Sequence, residues 1–459
     1  MIATVAAGHP ATAEAGAEIL ADGGTAADAA VAAGLASCVA ETIMTGLLGG
    51  GHAIHYDAAT GTARNLDCFV AVPSGAGEPM QQLAVPFGEE LVHYAIGASS
   101  CAVPGVPAGL DALWRAYGRL PWDRLVEPAL RLARDGVVLP PAHAACLEML
   151  APVMTMREGA RLYAPAGSLL AAGDVVQQPG LAAALELLRA EGAASVYGGT
   201  IAERLLALVA DRGGVLTRAD LLAYEARWSP PVEVAFAGRR LLTRGGLSGL
   251  PRTLRRFDPA GGPAALLEAL EADGDDAAPE HTTNLVAVDR AGNACVLTTS
   301  LGLGSGDWLP GLDLHLNSML GEVDLVRGRL RPRERMPSMM APTVAFASGG
   351  RLELAAGAAG GTRLRTALVG VLGAVLHERA GVQDAIDRPR FHPAGGVVNA
   401  EPGVDETWLA ALEAQGRTVR RWLARHHYFG GVSAVGAGGA GADPRRSGAV
   451  RPAPPAATP

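Results

Sequence analysis

The chain predicts a layered α+β or α/β/α sandwich, because blocks of β-type and helical patterning alternate along it. Two further observations support a packed fold of that kind. Of 459 residues 49% are hydrophobic and 18% charged, the balance of a folded globular protein. The residues are also small, with 60 glycines and 4% aromatics, so the layers are expected to approach closely.

In chain order, "HPATAEAGAEILADGGTAADAAVAAGLASCVAE" reads as two helices. The first ends at Asp22-Gly23-Gly24, and Thr25 caps the second with Asp28 in the capping-box position. Both are Ala-rich on every face and should pack against something flat. "TGLLGGGHAIHYDAATG" is a glycine loop entering a strand. "LPWDRLVEPALRLARDG" has helical apolar spacing, as does "LAAALELLRAEGAASVYGG", and a short helix then leads to strands before residue 244. Residues 244–281 turn rich in Gly, Pro and acid; the run Asp273-Gly274-Asp275-Asp276 reads as an exposed loop. "EHTTNLVAVDRAGNACVLTTS" then reads as a β-hairpin whose turn is Arg290-Ala291-Gly292-Asn293, with Thr282-Thr283 at its mouth. Strands follow at 343–346 and 352–355, and "GAAGGTR" opens a long helix near Thr362. The Pro/Ala-rich tail, about residues 444–459, is expected to be disordered.

Several function classes fall away on composition. A net charge of −8 with no dense basic run argues against nucleic-acid binding. No stretch approaches the roughly 20 uninterrupted apolar residues of a membrane span. Cys38, Cys68, Cys101, Cys146 and Cys295 are odd in number and lack metal-ligand spacing, which reads as reduced thiols. With no basic-then-apolar leader at the N-terminus, a cytoplasmic protein is expected. His426-His427 has no acidic partner nearby and reads as structural, and Asp384 and Asp387 read as a helix terminus before Pro389. No phosphate loop or dinucleotide fingerprint occurs, and no cofactor or metal is expected.

A resemblance gives the threonine pair its meaning. "HPATAEAGAEILADGGTAADAAVAA" with "MTGLLGGG", "VPGVPAGLDALWRAYGRLPWDRLVEPALRLARDG", "TTNLVAVDRAGNACVLTTSLGLGSG", "LNSM", "MPSMMAPT", "GAAGGTR" and "YFGGVSAV…ADPRRSGA" occur in one order across nearly the whole chain. This series resembles the γ-glutamyltransferase family of N-terminal-nucleophile hydrolases. The resemblance implies a four-layer αββα sandwich, one structural domain made of residues 1–281 and 282–459. It also implies self-cleavage between His281 and Thr282, which leaves Thr282 as an N-terminal nucleophile. The chemistry fits: a threonine hydroxyl needs a base, and cleavage creates an α-amino group of pKa about 8 beside it. By the same resemblance Gly360 and Gly361 are the oxyanion hole, Ser300 supports the nucleophile hydroxyl and Ser338 binds a substrate carboxylate. The implied product is a heterodimer of the two cleavage products acting on a small-molecule amide or γ-glutamyl-type substrate.

The departures concern that substrate. The family's carboxylate-binding arginine has no counterpart in residues 65–79, and Met339 replaces the second substrate serine. The amine-binding positions correspond to Gly302, Ser318 and Gly321, and the family's histidine after the pair is Asn284. A site without cation and acid should grip a γ-glutamyl zwitterion poorly. Residues 244–281 are also shorter than the family's equivalent, so helices walling the site are expected to be missing. The alternatives are an amidase for another acyl group, or a non-catalytic or maturation-only relative serving as a scaffold.

Overall fold

The computed structural model describes residues 2–87, 90–272, 282–322, 325–326 and 328–454. His281 and the acidic run 273–276 therefore lie outside the described residues.

Two antiparallel sheets stack face to face. The first has seven strands in the spatial order 449–452, 4–7, 283–288, 294–300, 50–57, 62–68 and 227–229. The second has six, in the order 439–442, 431–436, 352–359, 343–346, 239–243 and 232–236. Their inner faces meet through Ala6, Ile54, Val286, Val288 and Val296 on one side and Val344, Ala355 and Val435 on the other. Helices 10–21 and 26–40 cover the outside of the first sheet over Val5, Ala7, Leu285, Ala287 and Leu297. Helices 250–256, 262–271 and 363–376 cover the second over Leu241, Leu354, Ala356, Val432 and Ala434. The layers are thus α, β, β, α, as the resemblance implied.

The central strands explain their own sequences. Thr283–Val288 is buried on both faces, so alternation is muted and apolar residues run almost continuously. Every residue of Ala26–Ala40 is buried. That helix lies between the sheet and helix Trp122–Asp135, and alanine lets both approach. The capping box of Thr25 with Asp28 forms as expected.

The tail departs from expectation. Pro444–Arg446 forms a 3₁₀ turn and Ala449–Pro452 pairs antiparallel with Thr4–Ala7, so its described part, 444–454, includes an edge strand. What orders it is buried charge that composition does not display. Arg445 reaches Glu401, and Asp443 takes a 2.6 Å bond from Arg390.

Candidate active site

The hairpin positions the threonine pair. Thr283 stands opposite Thr299, Asn284 opposite Thr298, and Ser300 opposite Gly50 on the far side. One step past the last pair, Ser300 is level with Thr282. Pleating sends Thr282 and Asn284 toward the second sheet and Thr283 toward the helices. Asn284 is held there: its Oδ1 accepts the Thr298 hydroxyl at 2.8 Å and its carbonyl accepts the Ser433 hydroxyl at 3.2 Å.

Thr282 is 1% exposed, and among the described residues its hydroxyl has no hydrogen-bond partner. It lines a small cavity with Gly8, Glu41, Ala359, Gly431 and Arg446. A buried hydroxyl left unsatisfied is costly, so such groups usually have a purpose. Ala359, at the end of the strand 352–359, leads directly into Gly360 and Gly361. Gly360 has φ +124° and Gly361 φ +59°. A Cβ on Gly360 would lie 2.8 Å from the Gly430 Cα, so only glycine fits there. Among the described residues neither glycine N–H donates to a backbone carbonyl. Their donors precede helix Arg363–Leu376, where helix-end N–H groups favour negative charge.

The remaining expected residues are buried but do not line that cavity. The Ser300 hydroxyl accepts the Gly302 N–H at 3.0 Å, and the Ser338 hydroxyl accepts the Met340 N–H at 3.2 Å. The Ser338 carbonyl is held by the Arg244 guanidinium at 3.1 Å.

Three charged groups were not anticipated. Glu322, one residue past Gly321, carries its Oε1 to the place a side chain on Gly302 would fill. That oxygen accepts the Leu303 N–H at 3.1 Å and the Ser318 hydroxyl at 3.2 Å. An acid therefore does stand beside Gly302, displaced by one position from Gly321 and already engaged. Arg446 lies beside Gly360 and Gly431, and burial lowers its guanidinium from the usual value. Glu41 is fully enclosed at the end of helix Ala26–Ala40 and accepts hydroxyls from Thr12, at 2.7 Å, and from Thr283. Burial pushes its carboxyl up to about 7, against the opposing effect of the two hydroxyls and Arg446. Its only sequence signal was a charge inside an otherwise apolar stretch.

The gamma-glutamyltranspeptidase family model matches residues 12–252 and 259–453. The chain belongs to this family. Among curated relatives, an acylase ACY 1 proenzyme of Pseudomonas sp. is 27% identical over 94% of this chain and 89% of its own. A glutathione hydrolase proenzyme of Bacillus subtilis is 26% identical, over 90% of this chain and 84% of its own. The fold matches a crystal structure of cephalosporin acylase from Bacillus halodurans with a TM-score of 0.81, covering 98% of this chain and 95% of that one, at 21% identity. As a gamma-glutamyltranspeptidase-family member the chain has the four-layer N-terminal-nucleophile hydrolase fold.

Proposed function

We propose that this family member is an N-terminal-threonine amidohydrolase or acyltransferase that cuts itself between His281 and Thr282. The carrying observation is the buried Thr282 hydroxyl, without a partner among the described residues, at the mouth of the central hairpin, in a cavity that Ala359 shares just before the glycine pair.

In self-cleavage the Thr282 Oγ bonds to the preceding carbonyl carbon, the C–N bond breaks, and water hydrolyses the resulting ester. The free Thr282 then attacks a substrate amide. Its α-amino group takes the hydroxyl proton, and the Gly360 and Gly361 N–H groups hold the oxyanion. Ser300, level with Thr282 on the neighbouring strand, supports the nucleophile, and Ser338 with Arg244 behind it belongs to the substrate wall. Water or an amine takes the acyl group, and the product is a heterodimer of the two segments.

We infer further that the acyl group is not γ-glutamyl. Glu322 is committed to Leu303 and Ser318, and no arginine occurs in residues 65–79 to take the α-carboxylate. A cytoplasmic location, which five buried free thiols favour, is tested by fractionating the natural source. The function is tested by electrophoresis and N-terminal mass analysis of purified protein, followed by a screen of the mature form against assorted amides with γ-glutamyl-anilides included. An intact wild-type chain with no new N-terminal threonine would leave the scaffold reading in its place.

A further inference from the structure

Glu41 is a buried acid beside the threonine pair that the acyl-transfer scheme above does not use. It lies across the strand from Thr282, tied to Thr283 by one oxygen and to Thr12 by the other, and it lines the same cavity as Thr282. Gly8 closes the space above it: a Cβ there would meet the Glu41 Oε2 at 2.7 Å and the Thr283 hydroxyl at 2.9 Å. A carboxylate enclosed this way is costly to bury, and two neutral hydroxyls with one guanidinium offset that cost only in part.

Resting on the self-cleavage reading, we propose that Glu41 is a positioning residue for maturation, fixing the Thr282 end of the strand through Thr283 and stabilising the ammonium released there. The Thr282 Oγ–carbonyl bond forms and the C–N bond breaks. The hydroxyl proton passes to the departing nitrogen, which takes a second proton from water to become an ammonium. Glu41 exchanges no proton; as a carboxylate it favours the charged nitrogen, and with it the ester side of a shift that otherwise lies toward the amide.

Among the described groups around Glu41, it is the one that titrates near neutrality. His9, capping helix Pro10–Ala21, is held near 4 by burial, and His143, from helix Pro141–Met154, near 3, so both are neutral. Cys38 on the same helix stays a thiol because burial pushes it up. Burial also raises Asp443, but Arg390 and Arg445 win and keep it ionised. Arg446 is the nearby cation.

The test follows cleavage of newly synthesised full-length chain by denaturing electrophoresis between about pH 5.5 and 8.5 for wild type, Glu41→Gln, Thr283→Val and Thr282→Ala. Wild type should speed up through about pH 7, where the Glu41 carboxyl ionises. Glu41→Gln, which keeps the side chain's size and one acceptor oxygen but loses the charge, should cut at least about tenfold more slowly at pH 8 and lose that rise; a merely structural role would not move the pH profile. Thr283→Val should be slowed but keep the rise. Glu41→Gln with wild-type rate and profile overturns the proposal. If Glu41→Gln does not fold, Thr283→Val decides, and a wild-type rate there overturns it equally. A wild type that never cuts brings down the self-cleavage reading as well, whereas a cutting wild type matched by Glu41→Gln removes only this inference.

Discussion

Thr282 and Thr283 adjoin in sequence and line one cavity, yet the Thr283 hydroxyl is held by the buried Glu41 carboxyl while the Thr282 hydroxyl has no partner among the described residues. Their substitutions should therefore separate cleanly. Thr282→Ala should remain a single chain, while Thr282→Ser should still cut more slowly, since the hydroxyl is what reacts; electrophoresis distinguishes them. Gly360→Ala puts a Cβ at φ +124° and 2.8 Å from the Gly430 Cα. A strain of about 1–3 kcal/mol is expected, with a lower denaturation midpoint and impaired maturation. Glu41 also makes stability depend on pH. Its folded carboxyl lies near 7, above its ordinary value of 4.5, so the stability present at low pH is lost as pH rises toward 7. Glu41→Gln should abolish that decline, and at pH 8 it should be more stable than wild type by roughly 3 kcal/mol in urea titrations, 2.5 pH units at 1.36 kcal/mol each. A steeper decline in the variant would count against a raised Glu41.

Among the elements, the C-terminal segment shows how charge can order what composition presents as a tail. Arg445 is fully enclosed, reaching Glu401 and Asp443. Removing one member of such a network leaves the others buried and uncompensated. Arg445→Met should cost about 3–5 kcal/mol, read as a lower urea midpoint. The proline and alanine content of this stretch was legible. Its partners were not, because Arg445 and Glu401 are 44 positions apart in sequence. The hairpin was the opposite case. Turn residues between two β-prone runs fixed Thr283–Val288 and Ala294–Ser300 nearly to the residue, since that information is local.

At the scale of the molecule, cutting before Thr282 divides both sheets between two chains. Strands 4–7, 50–57, 62–68 and 227–229 of the first sheet lie on one side of the cut, and 283–288, 294–300 and 449–452 on the other. The second sheet is split as well, with 232–236 and 239–243 from the first segment. The two fragments should therefore co-elute in native gel filtration and part only in denaturant, because separation would expose the interior of both sheets. Glutathione hydrolysis should be weak, as each missing charge-assisted contact is worth roughly 1.5–3 kcal/mol. A sub-millimolar KM for glutathione would refute that reading of the pocket.

By itself the sequence determined the layered α+β class, the hairpin, the glycine pair and the membership that ordered motifs imply, all of which rest on local pattern and spacing. Only the tertiary structure decided that Glu322 stands where Gly321 suggested no acid, that Arg446 borders the cavity of Thr282, and that Glu41 holds Thr283 from a distance of 242 residues. Those placements come from chain segments meeting across layers. A residue's charge is written in the sequence, but what it faces is set by packing.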